Sequence, residues 1–231
     1  MVNKIASLCG TLLLSLVLGL SLVTGCGSGD GNDNDEQFTI ASAELTTVAG
    51  TCLLEVHCTL DETVELTLTN PDGMQVDKAQ ATGIVLLQMG DVGETPKAGR
   101  YILTATNSLG KQIAEEILNY EAAKASVSDL ALNWHAAGLD EYGLQDISFK
   151  VTNTGGLPLC VSEVEVAVVG ETETLAVLLP DALMSGESET IENPVSPFLC
   201  CISGGQHTLT LTLKDSKGTV VGTYTTSVTP S

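Results

Sequence analysis

The chain has 231 residues, with 29 acidic against 9 basic side chains and a formal net charge of −20. Phosphate backbones and anionic lipid surfaces are repelled by that balance, which argues against nucleic-acid binding and excludes adhesion through a basic patch. Aromatic residues make up only 3% of the chain, too few to floor a sugar-stacking catalytic cleft, and Val, Leu, Ile and Thr dominate in the manner of β-structure.

The first stretch has a short basic start at Lys4, an uncharged apolar run from Ile5 to Val23, and small Thr24 and Gly25 before Cys26. That order is the pattern of a secretory signal peptide. The apolar run is also about long enough to cross a bilayer as an uncleaved helix, and on either reading the remainder lies outside the membrane. The ending Leu22-Val23-Thr24-Gly25-Cys26 resembles the lipobox of bacterial lipoproteins. The resemblance implies that residues 1–25 are removed and that Cys26 is lipidated, anchoring the protein at the cell membrane on its extracellular or periplasmic side. Gly27 follows the cysteine rather than an acidic residue, which would argue weakly against inner-membrane retention in a cell with two membranes.

Losing residues 1–25 removes Lys4 alone among the charges, so the mature net charge becomes about −21. Residues 26–37, ending Gly-Ser-Gly-Asp-Gly-Asn-Asp-Asn-Asp-Glu-Gln, hold nothing to bury and read as a flexible, self-repelling acidic tether. Asp30, Asn32 and Asn34 sit at the odd positions of a calcium loop. Asp35, however, stands where the loop needs Gly, and Ala41 where it needs a bidentate Glu.

Beyond the tether the length suits two domains, and Gly or Pro-Asp-Gly punctuation about every ten residues points to an all-β chain of two tandem Ig-like antiparallel sandwiches. The first is placed at 38–123. Val64, Leu66 and Leu68 alternate with Glu65, Thr67 and Thr69 before the Asn70-Pro71-Asp72-Gly73 turn, and Ile84 to Met89 reads as a more continuously apolar strand. Pro96 to Tyr101 is similar to the Pro-x-x-Gly-x-Tyr lead-in of many bacterial immunoglobulin-like modules. The stretch from Glu115 to Ala125 has high helix propensity and no turn residue. It is assigned to a strand as far as about Leu118 and then to a linker.

The second sandwich, 124–231, opens with Val127 to Trp134 and Leu144 to Asn153, which leads into Thr152-Asn153-Thr154-Gly155-Gly156. That Val-Thr-Asn-Thr-Gly run, with Leu178-Leu179 ahead of Gly186-Glu187-Ser188 and Gly204-Gly205 ahead of Thr208 to Leu213, resembles the bacterial cell-adhesion-related domain group. The resemblance implies an Ig-like sandwich on a surface protein, generally without enzymatic activity. The acidic, Asn-rich closing strand common in that group is missing here.

Five cysteines follow Cys26: Cys52, Cys58, Cys160, Cys200 and Cys201. Export permits disulfides. Cys160 with Cys200 or Cys201 would close a loop of about 40 residues and is the favoured pairing. Cys52 and Cys58 share a strand face but lie roughly 20 Å apart if the strand is straight, so either the chain bends between them or they are not bonded to each other. Cys200, Cys201 and His207 match no closed metal-ligand set, so no metal or other cofactor is expected. No nucleophile elbow, paired-histidine zinc motif or phosphate loop occurs, and Trp134 is the one aromatic singled out for binding, with packing in the core as its alternative role. The resulting expectation is a non-catalytic, lipid-anchored envelope protein that engages an envelope or extracellular protein or polysaccharide. The alternative is a solute- or cargo-binding lipoprotein with an apolar pocket between its domains.

Overall fold

A computed structural model describes residues 38–59, 64–81, 83–177, 179, 181–194 and 202–231. The signal segment, Cys26, the acidic tether, Cys200 and Cys201 lie outside the described residues. Both sandwiches belong to one compact unit, Glu36–Ser231.

The first sandwich contains β1 (Thr39–Val48), β2 (Thr51–Thr59), β3 (Val64–Thr69), β4 (Gln75–Ala81), β5 (Ile84–Gln88), β6 (Gly99–Thr106) and β7 (Gln112–Tyr120). One sheet has the order β1-β2-β5 and the other β4-β3-β6-β7, with every pairing antiparallel. Alternation drives the assembly. Leu54, Val56 and Leu87 from the first sheet are buried against Leu66, Leu68 and Leu103 from the second, each full burial contributing roughly 1.5–3 kcal/mol. Tyr101 lies in the same core. Its hydroxyl donates to the Lys97 carbonyl at 3.0 Å, fixing the lead-in to β6, and its ring meets Tyr120 edge-on at 5.8 Å.

The second sandwich contains β8 (Ala125–Gly138), β9 (Glu141–Asn153), β10 (Glu163–Val168), β11 (Glu171–Ala176), β12 (Ser188–Pro194), β13 (Ile202–Ser203), β14 (His207–Lys214) and β15 (Val220–Val228). Its sheets are β11-β10-β14-β15 and a second in which β9 pairs β8, β12 and β13. Leu144, Ile147, Phe149 and Val151 of β9 face Val164 and Val166 of β10 and Leu209, Leu211 and Leu213 of β14 across the core.

Two sequence expectations are corrected. The strand at Ile84 is not continuously apolar in its environment. Val85 and Leu87 are buried while Ile84 and Leu86 are exposed, because β5 is an edge strand with only one face on the core. The first sandwich's last strand runs on to Tyr120, since pairing with β6 outweighs the helix propensity of the segment.

Three hairpins share one turn chemistry. Asn70, Asn107 and Asp215 each begin a turn whose fourth residue is a glycine at φ of 77°, 75° and 78° respectively. In each, the starting side chain's Oδ1 accepts the N–H groups two and four residues ahead, at 2.9 to 3.1 Å. Each is accompanied by a one-residue register shift in the flanking ladder, the arrangement of a type I turn closed by a glycine bulge.

Candidate functional site

The seam where the two sandwiches meet holds Asn153 and Asp215, two buried polar residues among those described. Its first part is the short connection after β7, which is paired to the turn after β9. Thr154 N–H donates to the Lys124 carbonyl at 2.8 Å, Gly156 N–H to Ala122 at 3.2 Å and Leu157 N–H to Glu121 at 3.1 Å. Asn153 organises this contact from a fully buried position. Its amide donates to the carbonyls of Leu157 and Leu183 at 2.8 and 2.9 Å, while its Oδ1 accepts from Lys124 N–H at 3.3 Å and Gly155 N–H at 2.9 Å. A side chain at position 155 has no room, because a Cβ there would lie 2.1 Å from the Ala122 carbonyl oxygen. The Asn-Thr-Gly turn seen in the sequence thus holds the connection in place.

The second part is the Asp215 turn, docked on the loop between β5 and β6. Asp215 is only 3% exposed. With Oδ1 committed to its own turn, its Oδ2 accepts Thr95 N–H at 3.2 Å. Ser216 N–H donates to the Gly93 carbonyl at 3.0 Å, and Ser216 Oγ donates to the Val92 carbonyl at 3.0 Å. Gly93 has φ +75°, and a Cβ there would meet Ser216 Cβ at 3.0 Å. At the solvent edge Lys217 Nζ reaches Asp91 Oδ2 at 2.5 Å, and this bond raises the lysine pKa. Opposite, Asp181 Oδ1 accepts Gly50 N–H at 3.0 Å and Ala182 N–H at 2.9 Å.

The third part is a pair of thiols. Cys52 Sγ and Cys160 Sγ, one from each sandwich, lie 3.6 Å apart in buried surroundings. The Cys160 backbone is fixed from the first sandwich, since its N–H donates to Thr95 Oγ1 at 3.0 Å and its carbonyl accepts from the same hydroxyl at 3.2 Å. The hydrogen bond to Cys160, burial and the carboxylates of Asp181 and Glu94 push the Cys52 thiol far up. Accepting that bond draws Cys160 down, against burial and the charges of Asp215, Asp181 and Glu94.

Beside Cys160 the seam carries a cavity of about 310 Å³ that opens to solvent. Its walls are mainly apolar, with Val92, Val161, Val177 and Leu179 among them, and Asp181 and Ser216 contribute polar edges.

The other residues singled out from sequence are dispersed. Strand β2 is unbroken from Thr51 to Thr59 and paired along its length with β1, so Cys52 and Cys58 stand roughly 20 Å apart and are not bonded to each other. Burial pushes the Cys58 thiol up. The favoured pairing of Cys160 with Cys200 or Cys201 has its second partner outside the described residues; among the described residues, the thiol facing Cys160 is Cys52. Trp134 is partly buried and packs against the core of the second sandwich. His207 bonds the Ser203 carbonyl at 2.6 Å, and His57 of β2, a histidine outside that set, bonds Glu55 at 2.7 Å.

Sequence reasoning missed Thr95, Asp181 and Asp215. The one available signal was the Asx-x-x-Gly pattern shared by the hairpin turns at Asn70, Asn107 and Asp215, of which Asp215 has the carboxylate at the first position.

No protein-family profile and no curated protein matches the chain. Among solved structures it is similar to the BSP domain of a biofilm-associated protein (16% identity, 83% of this chain and 30% of that one, TM-score 0.27). It is also similar to the fibronectin(III)-like modules of Clostridium thermocellum CbhA (14% identity, 84% and 94%, TM-score 0.27) and to red sea bream transglutaminase (11% identity, 84% and 32%, TM-score 0.32). The chain spans about a third of the biofilm protein and of the transglutaminase.

Proposed function

We propose that this is a non-catalytic, lipid-anchored envelope protein that holds a contact surface away from the membrane for adhesion to an envelope or extracellular protein or polysaccharide. The observation that carries the reading is where the hairpins end. Strand β1 starts at the end of the first sandwich away from the seam, because its turn into β2 carries Gly50, which is in the seam. The hairpins β8–β9 and β10–β11 turn at the opposite limit of the second sandwich, since β8 starts beside the linker and β10 beside the seam residue Ser162. Those two distal turns expose Leu139 completely and Val169 to 59%. Apolar tips far from the point of attachment, on sandwiches whose relative orientation is fixed by Asn153 and Asp215, suit contact by loop ends.

Asn153, Asp215, Thr95 and Ser216 are engaged in structural hydrogen bonds in the seam, which supports a non-catalytic role for it. The cavity favours a second reading, capture of a small apolar solute. Its volume lies at the bottom of the range for ligand sites, and Asp181 Oδ1 and Ser216 Oγ are already engaged with Gly50 N–H and the Val92 carbonyl. Adhesion is the stronger reading for that reason.

The test measures retention of the purified full chain on isolated cell envelopes, together with the mass of its mature N-terminus. The double variant Leu139→Asp/Val169→Asp is expected to lose at least ten-fold in retention with an unchanged unfolding midpoint. Equal retention of variant and parent removes the loop-tip mechanism, and an unacylated Cys26 or an intact Met1 removes the lipid anchor.

A further inference from the structure

Two thiols separated by 108 positions in the chain meet in the seam at 3.6 Å between sulfurs. A disulfide needs about 2.05 Å, so the sulfurs must close by roughly 1.5 Å, a movement within reach of rotation about two short side-chain bonds. The backbones that carry them are already held. Cys52 pairs with Thr47 of β1 and its carbonyl accepts Met89 N–H at 3.0 Å just past β5, and Cys160 is bonded on both sides of its peptide to Thr95. We propose that Cys52 and Cys160 are an oxidisable pair whose disulfide joins the two sandwiches covalently. The proposal rests on the exported location given above, which supplies the oxidising compartment.

The two partners are not equivalent. Cys160 lines the seam cavity and is 3% exposed, whereas Cys52 is fully buried. Cys160 is also the thiol drawn down by its partner. It is therefore the sulfur that an incoming disulfide oxidant, R–S–S–R, meets first. The Cys160 thiolate attacks one sulfur of the oxidant and releases R–S⁻, leaving a mixed disulfide. Cys52 then attacks the Cys160 sulfur and releases the second R–S⁻, its own proton leaving with that group. Overall the pair gives up two electrons and two protons, and the oxidant becomes two R–SH.

The test uses the full chain, purified in detergent from cells whose thiols are alkylated at lysis, and digested at glutamates without reduction. Cleavage there places Cys52 in fragment 45–55, Cys58 in 56–62, Cys160 in 142–163, and Cys200 with Cys201 in 193–231. The expected product is 45–55 joined to 142–163, which separates on reduction. The same linkage is expected when the reduced chain is reoxidised with glutathione disulfide, and in a Cys200→Ser/Cys201→Ser variant treated alike. Reduction is expected to lower the unfolding midpoint by roughly 10 °C, given the long loop closed. Fragment 142–163 joined instead to 193–231, or both 45–55 and 142–163 recovered alkylated after reoxidation, overturns the proposal. The linkage forming in vitro while cellular protein carries free thiols upholds the pairing and overturns the exported location.

Discussion

The turns at Asn107 and Asp215 have the same design and different surroundings. Both join the last two strands of their sandwich, both use Oδ1 to hold N–H groups two and four residues ahead, and both place glycine in the left-handed region. The Asn107 turn ends in solvent, with Leu109 89% exposed, whereas Asp215 is buried under the loop of the other sandwich. Amide and carboxylate differ in what remains after the turn is made. Asparagine has a single acceptor oxygen, fully used by the turn, but aspartate has a second, which takes Thr95 N–H across the seam. A one-atom difference therefore separates a turn that only closes a hairpin from one that also joins two sandwiches.

Five substitutions would break or sharpen that contrast. Gly155→Ala has the largest expected effect, because its Cβ would strike linker backbone that cannot yield cheaply. A loss of about 3–5 kcal/mol in urea unfolding is expected, with both turns left intact, and a loss below 1 kcal/mol would show that the linker is not clamped there. Next comes the pair Asp215→Ala and Asn107→Ala. Asp215→Ala removes a turn and leaves Thr95 N–H without its partner, for about 3 kcal/mol, while Asn107→Ala removes only the turn, for about 1 kcal/mol. Equal losses at the two sites would mean that the bond to Thr95 adds nothing.

Asp215→Asn isolates the second oxygen. The turn survives, but an NH₂ group faces the Thr95 N–H, donor against donor. About 1–2 kcal/mol should be lost, with Thr95 and Gly93 amides exchanging faster with deuterium; unchanged exchange would contradict the seam bond.

The smallest effect belongs to Glu116→Gln, a control in β7 outside both turns. Burial raises the Glu116 pKa in the folded chain, so its ionisation opposes folding. The stability linked to this group is present below the unfolded carboxylate range and is lost as pH rises through the raised folded value. Glu116→Gln should therefore be slightly more stable than the parent at pH 7, with the gain disappearing under acid conditions. A gain that persists at low pH would rule out ionisation as its source.

Strands and turns were readable because their causes are local. The alternation of Val64, Leu66 and Leu68 with polar neighbours defines one buried face whatever lies opposite. The glycine three residues after Asn70, Asn107 or Asp215 supplies the positive φ that closes each hairpin. Reading was poorer where pairing overrides preference, as in the segment up to Tyr120, and where burial depends on sheet position, as at Ile84 and Leu86.

The candidate site was barely legible at all. Cys160 was identified as a bonding cysteine, but its neighbour across the seam is 108 residues earlier, and no spacing rule connects them. Asn153 was recognised as a turn residue, although its four hydrogen bonds reach the linker and two separate loops. The bonds to Gly155 and Leu157 are local, whereas those to Lys124 and Leu183 exist only because the fold brings distant segments together.

By itself the sequence determined the apolar faces of the strands, the chemistry of the turns and the acidic surface, since each depends on residues within a few positions of one another. Tertiary structure alone decided which turn is docked, which thiols meet and where the cavity lies. Those features depend on how two completed sandwiches are held, and that is set by a few polar contacts between loops distant in the chain.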